Sequence, residues 1–333
     1  MTSFMPLFPG SHGDALIVLL VVLVADMMFG LVPGLARLAP DGGAIFSTVA
    51  QGLERRLNRA GRSQRNLLVR GAAVVALLVA LGVALGFGLA HLSLRLPYGW
   101  LIDAAVLFVC VSGRRVFLGL RRGLTFAARN DLEEGRALVA ELTGRDASRL
   151  DKFGLARIVV EMGAIGFARR IVVPVFWYVL LGLPGLLVSR AVGQIARAVL
   201  NRDREGRAFG AAALAFDHAL GLLPSYIAAY LLSFACALTP RARVGQAIHF
   251  MALDAQRDLI VNDGRVKAAV AGGLGLALGG PFGTKGGGLG DSWIGNGRAR
   301  VGQADIRNTF YLCAIATLLN TMIVALVTLA RVS

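Results

Sequence analysis

Two stretches of this chain, Gly71–Leu94 and Phe310–Ala330, stay apolar over the roughly 20 residues that an α-helix needs to cross a hydrocarbon core. A third run, Ala15–Met27, is shorter but of the same character. A soluble fold would have to bury each of them on every side. Of the 333 residues, 56% are hydrophobic, against roughly 45–50% in an average soluble domain, and only 17% are charged. In lipid every backbone N–H and C=O must be satisfied within the chain, which leaves helices or a closed barrel. The alternating pattern of about ten residues that marks a barrel strand is absent. The expectation is therefore an all-α, polytopic helical integral membrane protein. It should have about four to six membrane segments, some of them re-entrant, and cytoplasmic helical insertions.

Net charge is +15, nearly all from arginine, since lysine occurs only at 152, 267 and 285. In such a chain Arg and Lys collect in cytoplasmic loops and hold topology against anionic lipid, so the implied partner is the bilayer. No aromatic interleaving of the kind a single-strand binder uses accompanies the charge, which argues against nucleic acid. Cys110, Cys236 and Cys313 lie far apart in apolar runs, and His12, His91, His218 and His249 show no metal-ligand spacing. Met1–Gly13 carries no Lys or Arg and no small-x-small site follows, so the first apolar run reads as a retained helix, about Leu16–Leu35. It holds Asp26, either a functional acid or a helix-packing hydrogen-bond partner.

Seven arginines between Arg37 and Arg70 mark a cytoplasmic loop with an amphipathic helix around Ala44–Leu67. Helix two spans Gly71–Leu94, and the Pro97-Tyr98-Gly99 turn makes it a hairpin with helix three, Trp100–Phe117. Residues 114–170 read as a cytoplasmic helical insertion, with Asp131 at a helix start and Arg129/Glu133 and Glu141/Arg145 spaced to pair at i,i+4. Ile171–Ser189 is apolar but broken by Leu181-Gly182-Leu183-Pro184-Gly185, and five arginines follow by Arg207. A re-entrant pair of half-helices returns those arginines to the cytoplasm. Ala211–Leu238 is apolar around Asp217, His218 and Pro224. Residues 239–307 form a polar Gly/Arg-containing cytoplasmic region, and Thr309–Leu329 is the last helix. The whole is one membrane domain, 1–333. Within 239–307, Gly279–Gly295 is no Walker A loop, because Thr284 precedes Lys285 and Gly286 follows it. It reads as a flexible loop, or as one whose backbone N–H groups approach an anion.

Ordered fragments along nearly the whole chain resemble the adenosylcobinamide-phosphate synthase family of cobalamin biosynthesis, called CbiB or CobD. They are Asn130-Asp131-Leu132, Gly144-Arg145-Asp146-Ala147-Ser148-Arg149-Leu150, Val160-Glu161 with Pro174 downstream, Leu278-Gly279-Gly280-Pro281, Trp293-Ile294-Gly295 and Asp305-Ile306, with Asp26…Gly30 early. The resemblance implies a polytopic enzyme of the bacterial cytoplasmic (inner) membrane, its polar insertions facing the cytoplasm. It would join a carboxyl of adenosylcobyric acid to aminopropanol or its phosphate, with Mg²⁺ and ATP as cofactors and a corrinoid as substrate. Carried over by position, it implies Glu161, Asp217 and His218 as catalytic, and Asp217 and Glu161 as metal-holding. Asn262, Gly279, Gly280, Lys285, Trp293 and Arg190 would bind substrate or anion.

Many family positions are changed. The family's second Glu-Asn falls on Ile165-Gly166 and its Asp-Gly on Arg169-Arg170. Its Asp-Ser falls on Ala196-Arg197, the second Asp of a pair on His218, and a later Glu on Lys267. Arginine and lysine cannot replace acidic oxygens as ligands of Mg²⁺. The function expected is thus that of a ligase-like membrane protein, an ATP-dependent amide ligase if active, with catalysis reduced or lost. The alternative is a non-catalytic scaffold or subunit that binds a membrane protein partner, with a transporter ranked below both.

Overall fold

The computed structural model describes residues 12–31, 52, 64–200, 204–258, 260–280 and 292–332. Eleven helices of ten residues or more lie among them. These are α1 (His12–Leu31), α2 (Gln64–Arg95), α3 (Trp100–Cys110), α4 (Gly113–Arg129), α5 (Leu132–Thr143), α6 (Lys152–Phe167), α7 (Val173–Leu200), α8 (Arg204–Ala235), α9 (Val244–Asp254), α10 (Val261–Leu274) and α11 (Gln303–Val332). A π-helical turn, Ala168–Val172, joins α6 to α7. Two two-residue strands, β1 (Leu278–Gly279) and β2 (Trp293–Ile294), pair antiparallel. The all-α expectation holds. Among the described residues, four stretches suffice by length and composition to cross a membrane: Asn66–Arg95, Lys152–Arg197, Gly210–Leu238 and Gln303–Arg331, with Ala15–Gly30 shorter. The Ala44–Leu67 helix expected from sequence falls mostly outside the described residues.

Local sequence sets several helix ends. Asp131 accepts a hydrogen bond from the Glu134 N–H and caps α5, while Gly144 in the left-handed region closes it. Asp151 caps α6 the same way, accepting from the Gly154 N–H at 2.8 Å. Of the expected surface pairs, Glu141 instead meets Arg122 of α4, and Glu133 meets Arg136. Residues 100–117 do not form the single helix expected. The chain is extended at Val111, and α4 restarts after Ser112. The cause is Arg114, which is fully buried. Its Nη1 donates to Asp26 Oδ1 of α1 at 2.6 Å and turns back to the Phe108 and Val111 carbonyls at the end of α3. Asp26 Oδ2 also accepts the Arg114 backbone N–H, so the acid from α1 both pairs and caps the start of α4. Of the two readings of Asp26, helix packing is the one the geometry bears out.

The stretch from Lys152 to Arg197 is no straight span. Gly182 has φ 63° and ψ −150°, a conformation open essentially to glycine alone. A Cβ on Gly185 would lie 2.6 Å from the Trp177 carbonyl oxygen, whereas eight residues of straight helix separate by about 12 Å. Arg190 Nη1 reaches the Arg169 carbonyl at 3.3 Å, where a straight helix would hold the two about 30 Å apart. The chain therefore reverses at Gly182, as the re-entrant reading expects, and 173–181 and 183–200 are its two arms. Its tip is seated on α2: a Cβ on Gly86 would fall 2.4 Å from Pro184 Cα, and one on Gly82 would fall 3.0 Å from a Val188 methyl. Residues 114–170, read from sequence as a cytoplasmic helical insertion, contain α4, α5 and α6. Nearly all of α6 is buried, and it continues through the π turn into the first arm.

The main core gathers α1, α3 to α6 and α11 around Leu107, Leu120, Leu155 and Phe167, then extends to α8 and α10. By contrast α2 leaves Leu77, Leu81, Leu85 and Leu92 exposed, the face expected to meet hydrocarbon chains. Since α2 holds the reversal in place, Gly86→Val should unseat Pro184. Thermal unfolding of the detergent-solubilised chain is expected to show a loss of about 1–3 kcal/mol from overpacking. Gly88→Val, with nothing within 4 Å of its Cβ, should leave stability nearly unchanged.

Candidate functional site

Helix α10 is buried almost throughout, yet its sequence, VNDGRVKAAVAGGL, places Asn262, Asp263, Arg265 and Lys267 in its first two turns. Buried charges persist when paired or hydrogen-bonded: Asp263 and Lys267 are in ion pairs, and Arg265 donates to Ser225 and Asn262. The π turn, a feature common at functional sites, carries Arg169 toward α10 and α8. Arg169 Nε donates to Asp263 Oδ1 at 2.6 Å. Its Nη1 donates to both oxygens of Asp217 on α8, at 2.9 and 3.2 Å. One guanidinium thus satisfies two carboxylates. Gly193 on the second arm leaves room for this, since a Cβ there would lie 3.3 Å from Asp217 Oδ1.

A second charge cluster lies further along α10. Lys267 Nζ pairs with Asp258 and lies 3.8 Å from Glu161 Oε2 on α6. Burial opposes the charge of this lysine, but the carboxylates of Glu161 and Asp258 outweigh it and hold its pKa above the ordinary value. Glu161 Oε1 accepts the Gly279 N–H at 2.7 Å, which fixes the start of the short ladder to α6. Gly279 and Gly280 take φ of +76° and +74°. A Cβ on Gly280 would strike the Trp293 ring at 2.7 Å, so glycine is required for the two strands to close. Trp293 is partly exposed, with the Arg157 guanidinium 4.8 Å over its ring.

The residues expected to form the site therefore fall into separate groups. Asp217, Arg190 and Asn262 line one pocket together with Ser189, Gln194 and Arg197. Asn262 is consumed by structure: its amide donates to the His218 carbonyl, and its oxygen accepts from Ser225 and Arg265. Arg265 in turn stacks 3.7 Å from the centroid of Tyr226. The His218 side chain is exposed, away from Asp217, which is buried. Glu161, Gly279, Gly280 and Trp293 form the second group around the ladder, and Lys285 lies outside the described residues. Sequence reasoning missed Asp258, Asp263 and the pairing role of Arg169. The available signal was charge compensation, a base standing where the resembling family has an acid while other acids persist nearby.

The pocket leaves about 40 Å³ open to water, space for about three water molecules. Among the described residues no three of His, Cys, Asp and Glu converge to hold a metal ion. Asp217 and Asp263 already face Arg169, and Glu161 and Asp258 face Lys267. These donors do not fit Mg²⁺, which demands near-octahedral oxygens free to approach at about 2.1 Å.

Comparison with known proteins places these features. The family model described as CobD/Cbib protein matches residues 19–313. Cobalamin biosynthesis protein CobD of Sinorhizobium sp is 32% identical over 280 residues, which cover 80% of this chain and 83% of that protein. CobD of Photorhabdus laumondii is 29% identical, covering 84% and 88%. Cobalamin biosynthesis protein CbiB of Salmonella typhimurium is 27% identical, covering 84% and 87%. No solved structure matches the chain.

Arg169→Ala should strand two buried carboxylates and lower stability by about 3–5 kcal/mol. Adding Asp217→Asn and Asp263→Asn in the same chain should recover most of that loss. Thermal melts of the single and triple variants check both outcomes.

Proposed function

The chain belongs to the CobD/Cbib protein family, and from that premise we propose that it serves cobalamin biosynthesis as a membrane-embedded protein in which amide-ligase chemistry is reduced or lost. The observation that carries this reading is Arg169 held between Asp217 and Asp263. An amide ligase of the kind its resemblance implies activates a carboxylate by phosphoryl transfer, and Mg²⁺ there neutralises phosphate charge. In this chain the pocket acids are spent on a guanidinium, and Lys267 draws on Glu161 and Asp258 in the same way. The chain's own groups support binding and orientation of a ligand at the pocket. Among the described residues they offer no free carboxylate there to hold a cation or to take a proton. The protein would lie in the bacterial inner membrane with its arginine-rich segments toward the cytoplasm. It would present a corrinoid, or a partner subunit that handles one, at the pocket that Arg190 and Arg197 line.

Genetic complementation tests this. The chain is expressed in a bacterium that lacks its own cobinamide-phosphate synthase, and insertion is verified. No cobalamin-dependent growth is expected on cobyric acid, while cobinamide still rescues the strain. Growth on cobyric acid would restore the ligase reading. Deletion of the gene from its own host should lower cobalamin yield, and an unchanged yield would remove the role in this pathway.

A further inference from the structure

The first turns of α6 carry a surface on which cations sit over aromatic rings. Lys152 Nζ lies 5.4 Å from the centroid of Phe153, and the Arg300 guanidinium lies 5.8 Å from the same ring. One turn along the same face of α6, the Arg157 guanidinium lies over Trp293. Arg257 donates to the Trp293 carbonyl at 3.4 Å. Its charge is answered by Asp254, and Asp151, the acid beside Lys152, is turned to the Gly154 N–H as the cap of α6. Lys152, Arg157 and Arg300 form no ion pair among the described residues, and Arg157 Nε is buried without an acceptor. Lys152 and Arg300 are exposed, Arg157 and Phe153 are half-buried, and Trp293 is 39% exposed.

Each of these three cations is therefore seated on a ring rather than on an acid. A side chain ordered in this way loses less freedom when it binds, and its N–H groups remain open to a carboxylate. Arginine beside tryptophan is the composition that carries energy at protein interfaces. The rings already hold cations of this chain, so they are not offered to a base for stacking. Depth separates the surface from lipid. About 20 Å of helix lies between Arg157 and Ile171, where the apolar arm begins, and Gln303 is about 10 Å ahead of Phe310, with Arg300 earlier still. A headgroup layer adds only about 5–8 Å to each side of the hydrocarbon. The pocket is also distant, since about 18 Å of helix separates Arg157 from Arg169.

We infer that this surface docks an acidic segment of a soluble protein, whose carboxylates meet Lys152, Arg157 and Arg300. The surface stands apart from the pocket and does not depend on whether the pocket ligates.

The test uses the full chain in phosphatidylcholine nanodiscs. The probe is a short fluorescein-labelled glutamate-rich peptide, read by anisotropy. Arg157→Gln with Arg300→Gln should weaken binding about fivefold, and Arg300→Gln alone, at an exposed position, about twofold. Arg95→Gln with Arg331→Gln removes the same charge from exposed positions at the C-terminal ends of α2 and α11, and should leave binding unchanged. Phe153→Leu keeps every charge but removes a seat, and should weaken binding about twofold. Equal losses in the two double variants would overturn the proposal, as would binding that neither Arg300→Gln nor Phe153→Leu alters. Phosphatidylglycerol retained through purification, measured by mass spectrometry of the extracted lipid, decides the remaining alternative. Equal amounts on the wild type and on the Arg157/Arg300 double variant are expected. A loss in the variant would make the surface a lipid contact and overturn the proposal. Peptide binding is read without growth, so its failure and a failed complementation are separate results.

Discussion

The architecture depends on one constraint, that a charge withdrawn from water must be answered within the protein, in most cases by its opposite. Asp26 and Arg114 tie α1 to the break between α3 and α4. Arg169 gathers α8 and α10 about the π turn, and Lys267 ties α10 to α6 and to Asp258. Arg298 and Asp305 close the approach to α11, where Asp305 also accepts the Gly302 N–H. Each pairing joins segments that apolar packing alone would leave free to slide, because helices in lipid gain little from hydrophobic contact with one another. The apolar residues decide that the chain enters the membrane, and the ion pairs decide which helix faces which.

Much of this was legible in the residues. The apolar runs located α1, α2, α8 and α11, though the last three begin six or seven residues earlier than the runs do, and the Gly-Leu-Pro-Gly break gave the reversal at Gly182. The helix start expected at Asp131 is where α5 begins, with Asp131 as its cap. What escaped was non-local. The split after Cys110 is written in Arg114, whose partner lies 88 residues earlier in the chain. Arg169 reads on its own as a lost acid. Only when Asp217 and Asp263, 48 and 94 residues onward, are brought to it does the charge reversal become a pairing. No local window contains that relation.

The two charge clusters share a logic. At Arg169 and at Lys267 a base stands where the resemblance to the ligase family expects an acid, and in both places the remaining acids turn toward it. Changing one member alone would leave unpaired charge in the interior, so the members are held together as sets. Membership of the CobD/Cbib family and this internal neutralisation are compatible. A fold can keep its helices, its glycine ladder and its reversal while the chemistry of its pocket changes.

The reversal at Gly182 also bears on the order in which the molecule is built. The arms come together across the 21 residues that separate Arg169 from Arg190, a short closure that needs no later part of the chain. The acids that neutralise Arg169 are synthesised afterwards, Asp217 with α8 and Asp263 with α10. The pocket arginines therefore stand in place before their counter-charges do. During that interval their guanidiniums must be satisfied by water or by lipid phosphates at the interface, and the arrival of α10 exchanges that solvation for protein.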